Sequence, residues 1–290
     1  MLAMTTTLGG RRLAGLATKP ATLRALSGEA SAAAAKASSG ISYKGRKRFY
    51  KRAEAVQGAD EPDKYYVELD GRKLRTPYRQ LVELPTEALA HGVANEWHLQ
   101  KEEIQPSSMP LMTMACTAID TTEMRRPIVV EELLRFLSTD TVLFPGHPDE
   151  TEANLVDMQE DMWSPLVEWM GERFGPVNVC EHLRIPPHPE ATTKAVEDYL
   201  QNLDPWTLTG IENLTSGCKS LIIPLALHHG KIDVKTAIKA SRVEEEHQLT
   251  AWGLVEGGHD VDRANTISQV AAGAVFLRLC RPPLAAAAER

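Results

Sequence analysis

The sequence has 290 residues, is 43% hydrophobic and carries a formal net charge of -7 at pH 7. This length can hold one or two domains with a substantial hydrophobic core. The acidic balance argues against nucleic acid as a partner, because a nucleic-acid-binding protein needs a basic face against the phosphates. No apolar run reaches the roughly 18 residues of a membrane span. We therefore expect a soluble protein, without membrane insertion, that meets small molecules or other proteins.

Residues 1–40 differ in composition from the rest of the chain. They are rich in Ala, Ser, Thr and Gly, and their single acid, Glu29, stands against five cations: Arg11, Arg12, Lys19, Arg24 and Lys36. This composition is typical of an organelle transit peptide. We predict a disordered mitochondrial transit peptide with the mitochondrial matrix as its destination and the chloroplast stroma as the alternative. A disordered tail with no targeting role is the other interpretation.

The segment from residue 46 to about residue 85 alternates apolar and polar residues and contains turn signals, which predicts strands. In DKYYVELDGRKLRTP the apolar residues fall on one face, and Asp70-Gly71 supplies the positive-φ residues of a tight hairpin. The basic run YKGRKRFYKR before it is either a ligand patch or a set of cations that discourage pairing between sheet edges. We predict a small antiparallel sheet of several strands.

Helical periodicity begins at Thr86. In TEALAHGVANEWHLQKEE, Leu89, Val93 and Trp97 recur at i, i+4 steps, and Thr86 is a suitable N-cap. The same signals predict further helices over residues 109–120, 127–137 and 152–174, the last of them ended by Gly175-Pro176.

One long helix is predicted over residues 205–230. Asp204 is its expected N-cap, Pro205 stands at the first helical position, and Pro224 should kink it. Gly210 and Gly217 on this helix would allow a neighbouring helix to approach closely.

Together these elements predict an α+β fold, in which a small antiparallel β-rich N-terminal domain precedes a helical C-terminal domain. The predicted boundaries are residues 46–125 for the β-rich domain with its following helix and residues 126–281 for the helical domain. A last helix, capped by Asp260 or Asp262, is expected to run to Leu279, and residues 282–290 form a tail.

Fingerprints of catalysis and nucleotide binding are absent from the sequence. It contains no G-x-x-x-x-G-K-[ST], no G-x-G-x-x-G between a strand and a helix, no H-E-x-x-H and no G-x-S-x-G. The four cysteines form no C-x-x-C pair, which excludes a zinc knuckle or redox motif and favours free, buried thiols. The sequence therefore predicts no catalytic residues and no cofactor.

Glu244-x-x-His247 has the spacing of half a di-iron site on a helix. The chain contains no second Glu-x-x-His, so we expect no metal and interpret His247 as a helix-surface or interhelical polar contact. His228-His229 is interpreted as an ordinary helix terminus. His259-Asp260 has no nucleophile specified beside it.

A helix predicted from its cap Asp233 to Gly253 sorts three consecutive glutamates by face. Glu246 falls among Lys235, Lys239 and Arg242, and its i, i+4 pairing with Arg242 makes it an ordinary solvated residue. Glu244 borders a face of small residues, and Glu245 falls on an apolar stripe made by Val234, Ile238, Leu249 and Trp252. A carboxylate on such a stripe is either part of a surface shared with a partner or a salt-bridged edge of the core, with Arg263 or Arg278 as its counter-charge.

Seven segments carry a family resemblance: RKRFYKR, DGRKLRTP, ANEWHLQKEEI, FLSTDTVLF, WSPLVEWMGERFG, DPWTLTGIENLTSGCKS and SRVEEEHQLTAWGLVEGGHD. Their order and spacing resemble the mitochondrial ATP synthase assembly chaperones that escort the alpha subunit of the F(1)-ATPase. The resemblance covers residues 46–281. It departs from the family at Gly257-Gly258, where relatives carry bulkier or polar residues.

The resemblance implies a matrix protein without catalytic activity that binds the unassembled alpha subunit and prevents its aggregation until the beta subunit replaces the chaperone. It places an essential acid at Glu244 or Glu245, and we predict a partner-binding site of Glu244, Glu245, Leu249 and Trp252. We expect the protein to act as a monomer. The alternatives are an enzyme with an unrecognised helical active site and a structural subunit of an organellar complex.

Overall fold

The computed structural model describes residues 46–147, 151–180, 186–253 and 257–281. All of them belong to one compact unit. The predicted transit peptide, residues 1–40, and the predicted tail, residues 282–290, lie outside the described residues.

The N-terminal part forms an antiparallel sheet from β1 (Ala53–Gln57), β2 (Tyr65–Leu69), β3 (Arg72–Lys73) and β4 (Glu83–Leu84). Strand β2 pairs with β1 along one edge and with β3 and β4 along the other. Asp70 and Gly71, which join β2 to β3, have φ angles of 50° and 80°. Both residues thus lie in the positive-φ region that a two-residue hairpin requires, and the predicted turn is confirmed.

In the described residues the sheet is followed by α1 (Glu87–His98), α2 (Pro110–Thr117), α3 (Glu123–Ser138), α4 (Ala153–Phe174), α5 (Glu190–Gln201), α6 (Pro205–Cys218), α7 (Ile222–His228), α8 (Val234–Ala240), α9 (Val243–Trp252) and α10 (His259–Cys280). A π-helical turn, Ala118–Thr122, joins α2 to α3. No described helix is both long and apolar enough to cross a membrane. The predicted α+β fold class, a small sheet followed by helices, is confirmed.

Three predicted N-caps hold their helices as expected. The Thr86 hydroxyl accepts the N–H of Leu89 at 3.1 Å at the start of α1. The Asp204 carboxylate accepts two backbone N–H groups at the start of α6. The Asp233 carboxylate accepts the N–H of Thr236 at 2.7 Å at the start of α8. Each side chain satisfies donors that the first turn of a helix leaves without intrahelical partners.

The prediction of one kinked helix over residues 205–230 is wrong. The chain leaves α6 at Lys219, which adopts a left-handed conformation with φ of 54°, and begins α7 at Ile222. The buried carboxylate of Asp140 accepts the backbone N–H groups of Leu221 and Ile222 at 2.7 and 3.0 Å. A side chain from about 80 residues earlier therefore starts a new helix at this point, which no signal in the segment itself indicates.

The prediction of one helix from Asp233 to Gly253 is also wrong. The helix is interrupted at Ser241 and Arg242, where Arg242 has φ of -132° and ψ of 20°, and α9 begins afresh at Val243. Gly253, with φ of 82°, does end α9 as expected.

The predicted cap of the last helix is wrong as well. Helix α10 begins at His259, immediately after Gly258, so Asp260 and Asp262 lie inside its first turn. There the two acids favourably face the positive end of the helix dipole instead of capping it.

Two hydrophobic cores stabilise the fold. One lies between the sheet and α1 and α2 and contains Val67, Leu89 and Trp97, whereas the other is built by α3 to α8 with Val243. Helix α10 contributes to both cores, because Phe276 is buried in the first and Leu277 in the second. The division into domains at residue 125 stays a prediction.

Helices α6 and α10 pack closely through glycines, as predicted for Gly210 and Gly217. A Cβ atom on Gly210 would lie 2.7 Å from Cγ of Leu277, and one on Gly217 would lie 3.1 Å from Cδ of Gln269. Larger side chains at these positions would push the two helices apart.

Candidate functional site

Helix α9 and the first three turns of α10 form an exposed surface on the helical part of the protein. Of the residues in α9, only Val243 and His247 are buried. Nearly every described residue from Gly257 to Ser268 is exposed. We call these residues, 243–253 and 257–269, the α9–α10 surface.

Three of the four predicted partner-binding residues share one side of α9. Glu245, Leu249 and Trp252 follow at i, i+4 and i+7, which places them in one row along a helix. Leu249 is half-buried, whereas Trp252, at the end of the helix, is 79% exposed. The prediction that Trp252 continues a stripe from α8 is wrong, because the interruption at Arg242 changes the direction of the chain.

The fourth predicted residue, Glu244, is tied to α4. Its carboxylate accepts a hydrogen bond of 3.1 Å from the side-chain amide of the buried Gln159, whose own oxygen accepts the N–H of Gly146 at 2.7 Å. Burial of the carboxylate raises the pKa of Glu244, and the neighbouring Glu245 raises it further. Glu244 therefore holds α9 against α4 and also presents an acid at the surface.

Glu245 is paired with the residue that ends α6. Its carboxylate lies 3.2 Å from the ammonium of Lys219, and its side chain remains 33% exposed. The expected counter-charges, Arg263 and Arg278, are wrong: Arg263 pairs with Glu246 at 3.2 Å instead. Because Lys219 is itself largely exposed, this ion pair can open at modest cost when another cation approaches.

Arg242 is a buried cation at this surface that the sequence did not reveal. Its side chain is only 3% exposed, and its guanidinium lies 2.6 Å from Asp262 and 3.4 Å from Glu246. It also donates to the hydroxyl of Thr266 at 3.4 Å. The buried guanidinium of Arg242 thus connects the start of α9 to the first turns of α10 beneath the exposed surface. The sequence placed it among solvated cations because the helix was expected to continue through it.

His247 is the interhelical polar contact that was predicted. It is buried, and its Nε2 lies 3.0 Å from the carboxylate of Glu152 at the start of α4. Among the described residues, no three His, Cys, Asp or Glu side chains are grouped to hold a metal ion. The surface around His247 offers carboxylates and apolar side chains, which are suited to binding another protein.

Two apolar residues of α10 extend this surface beyond the predicted set. Val261 is 60% exposed and Ile267 is 39% exposed, on turns of α10 whose residues are mostly exposed. The sequence carries no signal for them, because apolar residues scattered singly over a polar helix segment are ordinary at protein surfaces. The α9–α10 surface therefore combines exposed apolar groups with five acids: Glu244, Glu245, Glu246, Asp260 and Asp262.

Comparison with known proteins links this architecture to one family. Residues 47–171 match the family model described as ATP12 chaperone protein. The crystal structure of Atp12 from Paracoccus denitrificans superposes with a TM-score of 0.73 at 30% sequence identity, covering 81% of this chain and 98% of that one.

Curated relatives point the same way. The chain is 27% identical over 258 residues to the protein named atp12, mitochondrial, of Schizosaccharomyces pombe, covering 84% of this chain and 86% of the relative. It is 24% identical over 256 residues to ATP12, mitochondrial, of Saccharomyces cerevisiae, covering 74% and 79%. The similarity therefore includes both the sheet and the helical part.

Proposed function

This chain belongs to the ATP12 chaperone family of F(1)-ATPase assembly factors, and we propose that its client is the unassembled alpha subunit. Its relatives are named as mitochondrial proteins, and the protein is mitochondrial. We place it more finely in the mitochondrial matrix, where it acts as a monomer without catalytic activity. It prevents aggregation of the alpha subunit until the beta subunit takes its place.

The observation that carries this proposal is the 79% exposed indole of Trp252 beside the acids of α9. Tryptophan is enriched among the residues that dominate binding energy in protein interfaces. The solvent-exposed Trp252 and the preceding Leu249 supply the apolar centre of a protein interface, and the surrounding carboxylates supply its charged rim. An unassembled subunit exposes an apolar interface that such a surface would cover.

Glu244 and Glu245 have different tasks in this proposal. Glu244 is held by Gln159 and fixes the position of α9 against α4. Glu245 pairs with the exposed Lys219 and can exchange that cation for one on the client. We therefore propose that Glu245 contacts the alpha subunit directly and that Glu244 positions it.

The test is direct binding of isolated alpha subunit, with suppression of its aggregation followed by light scattering. We expect Trp252→Ala to weaken binding at least about thirtyfold, because truncation of a central interface Trp costs about 2 kcal/mol or more. Met124→Ala is the matched control, since Met124 is a 76% exposed apolar residue on α3. Wild-type affinity of Trp252→Ala, with Met124→Ala unchanged as well, would remove the α9–α10 surface from the proposal.

Charge reversal separates the two acids. Glu245→Lys should abolish binding of alpha subunit and leave the unfolding midpoint near that of wild type, because the Lys219 pair is a surface ion pair. Glu244→Lys should lower both the affinity for alpha subunit and the unfolding midpoint, since it also breaks the contact with Gln159. If Glu245→Lys co-purifies with alpha subunit at wild-type yield, the contact assigned to Glu245 is wrong.

The alternative of a structural subunit makes an opposite prediction. A chaperone is released before assembly is complete, so purified ATP synthase should contain none of this protein. Stoichiometric retention in the finished complex would favour the structural subunit.

A further inference from the structure

Within the described part of the chain, strand β1 leaves one edge of the sheet unpaired. It is the terminal strand of the sheet, and β2 is its only partner among the described strands. Two bonds fix the alternation: the N–H of Asp70 donates to the carbonyl of Arg52, and the N–H of Gly58 donates to the carbonyl of Lys64. Even-numbered residues of β1 therefore bond to β2. The N–H and C=O groups of Ala53, Ala55 and Gln57 point to the open edge.

A groove runs along this open edge. It has a volume of about 510 Å³ and lies between β1 and α1, with walls formed by Ala53, Glu54, Ala55, Val56, His91, Ala94, Asn95 and His98. The α1 residues lie at helical spacing, so α1 forms one continuous wall beside the strand. The volume falls in the range of clefts that hold small ligands.

The charges at the two ends of β1 differ in sign. Residues 46–52 contain five Lys or Arg residues and no acid, and Lys51 and Arg52 lie directly before the strand. Asp60 and Asp63 lie beyond its other end. A strand added antiparallel to β1 would place its C-terminal end beside Lys51 and Arg52. Electrostatic complementarity therefore favours a guest strand that is acidic at its C-terminal end.

We propose that the open edge of β1 binds an extended peptide segment of a client chain, antiparallel to β1 and acidic at its C-terminal end. The guest exchanges backbone hydrogen bonds with Ala53, Ala55 and Gln57 and places alternate side chains in the groove beside α1. This interface is additional to the α9–α10 surface and does not depend on it. It would let the chaperone hold an unpaired segment and an apolar subunit interface at the same time.

The wall formed by α1 argues for a single peptide strand in preference to a second copy of the chain. Helix α1 packs along β1 and lines the groove beside the open edge. The β1 strand of a second copy would bring its own α1 to the same groove, whereas an isolated strand enters unaccompanied.

The test uses a fluorescein-labelled ten-residue peptide of alternating Thr and Val that ends in three glutamates, titrated with the full chain by fluorescence anisotropy. Its counterpart ends in three lysines. We expect the acidic peptide to bind at least tenfold more tightly than the basic one, and the difference to shrink at high salt.

Two variants address the edge. Ala55→Pro removes an outward N–H without breaking a bond to β2, which is where an edge strand tolerates proline, and should weaken binding at least tenfold. Lys51→Glu changes only an exposed side chain and should weaken binding severalfold, which keeps the proposal testable if Ala55→Pro does not fold. Lys231→Glu, on the α7–α8 loop, is the matched charge control and should bind as wild type.

The outcomes separate this proposal from the α9–α10 surface. Trp252→Ala should bind the peptide normally, so a failure here leaves the alpha-subunit site untouched. Equal binding of both peptides, or wild-type binding by folded Ala55→Pro and by Lys51→Glu, would overturn the proposal. A dimer in solution that Ala55→Pro dissociates, or binding to anionic vesicles that exceeds peptide binding, would assign the edge to another occupant and overturn it too.

Discussion

Replacing Asp140 with asparagine tests how the C-terminal core is held together. Asp140 is fully buried, and one carboxylate oxygen accepts the N–H groups of Leu221 and Ile222 while the other accepts that of Val142 at 3.1 Å. The hydroxyl of Ser220 adds a further hydrogen bond. The side chain thus caps α7 and, at the same time, the short turn Thr141–Leu143.

The magnitude follows from the number of donors. An asparagine keeps one acceptor oxygen and turns a donor toward an N–H group that loses its partner. A buried donor without a partner costs about 1–3 kcal/mol, so we expect Asp140→Asn to lower the free energy of unfolding by about 2–3 kcal/mol. That is a large fraction of the roughly 5–15 kcal/mol that stabilises a typical domain.

The effect should also depend on pH. Burial raises the pKa of Asp140 to about 6 in the folded protein, against the hydrogen bonds that lower it, while the unfolded chain titrates near the ordinary value of 3.8. Between these values the folded state binds more protons than the unfolded state, so this contribution to stability is full below the unfolded pKa and is lost as the pH rises through 6. The destabilisation by Asp140→Asn should therefore be about 1 kcal/mol larger at pH 5 than at pH 7.

Urea unfolding followed by far-UV circular dichroism at pH 5 and pH 7 measures both quantities. Asp157→Asn is the control, because Asp157 is exposed on α4, and it should stay within about 0.5 kcal/mol of wild type. If Asp140→Asn is as stable as that control at pH 7, or if its destabilisation does not grow at pH 5, the account of Asp140 is refuted.

Two further predictions concern α10. Gly210→Ala should destabilise the protein by about 1–3 kcal/mol through overpacking against Leu277. The control is Gly171→Ala, whose Cβ would meet nothing within 4 Å and which should stabilise the protein by roughly 0.5 kcal/mol. Equal effects of the two substitutions on thermal unfolding would contradict the close α6–α10 contact. Arg242→Met should accelerate amide hydrogen exchange in residues 259–266 at least tenfold, because Asp262 loses its buried ion-pair partner. Unchanged exchange in these residues would show that Arg242 does not hold the start of α10 in place.

The parts of the fold that follow from local stereochemistry were predictable. The sequence alone identifies residues whose role depends on groups only a few positions away. Such residues are the positive-φ pair of the hairpin, Asp70-Gly71, and the three helix N-caps, Thr86, Asp204 and Asp233. The left-handed turn at Lys219 carries no such signal, since neither glycine nor proline is present there. It depends on a carboxylate that only the tertiary structure brings close.

The candidate site shows the same limit more sharply. The pairing of Glu246 with Arg242 was predicted from i, i+4 spacing and is present at 3.4 Å. The burial of Arg242 was not predictable, because it results from the packing of α10 over the break before α9. Once the helix divides there, a wheel drawn from Val234 no longer describes Trp252. The membership of Glu244, Glu245, Leu249 and Trp252 in a partner-binding site stays a prediction.

The position of α10 in both cores sets the order in which this protein can mature. The Thr86 hydroxyl at the start of α1 donates to the carbonyl of Leu279, 193 residues later, and Phe276 completes the core under the sheet. A chain that emerges N-terminus first, from a ribosome or a translocation channel, cannot close that core until its last helix has appeared. Until then the N-terminal part remains incompletely folded. Both hydrophobic cores can be completed only after α10 is available, so the two parts of the protein finish folding together.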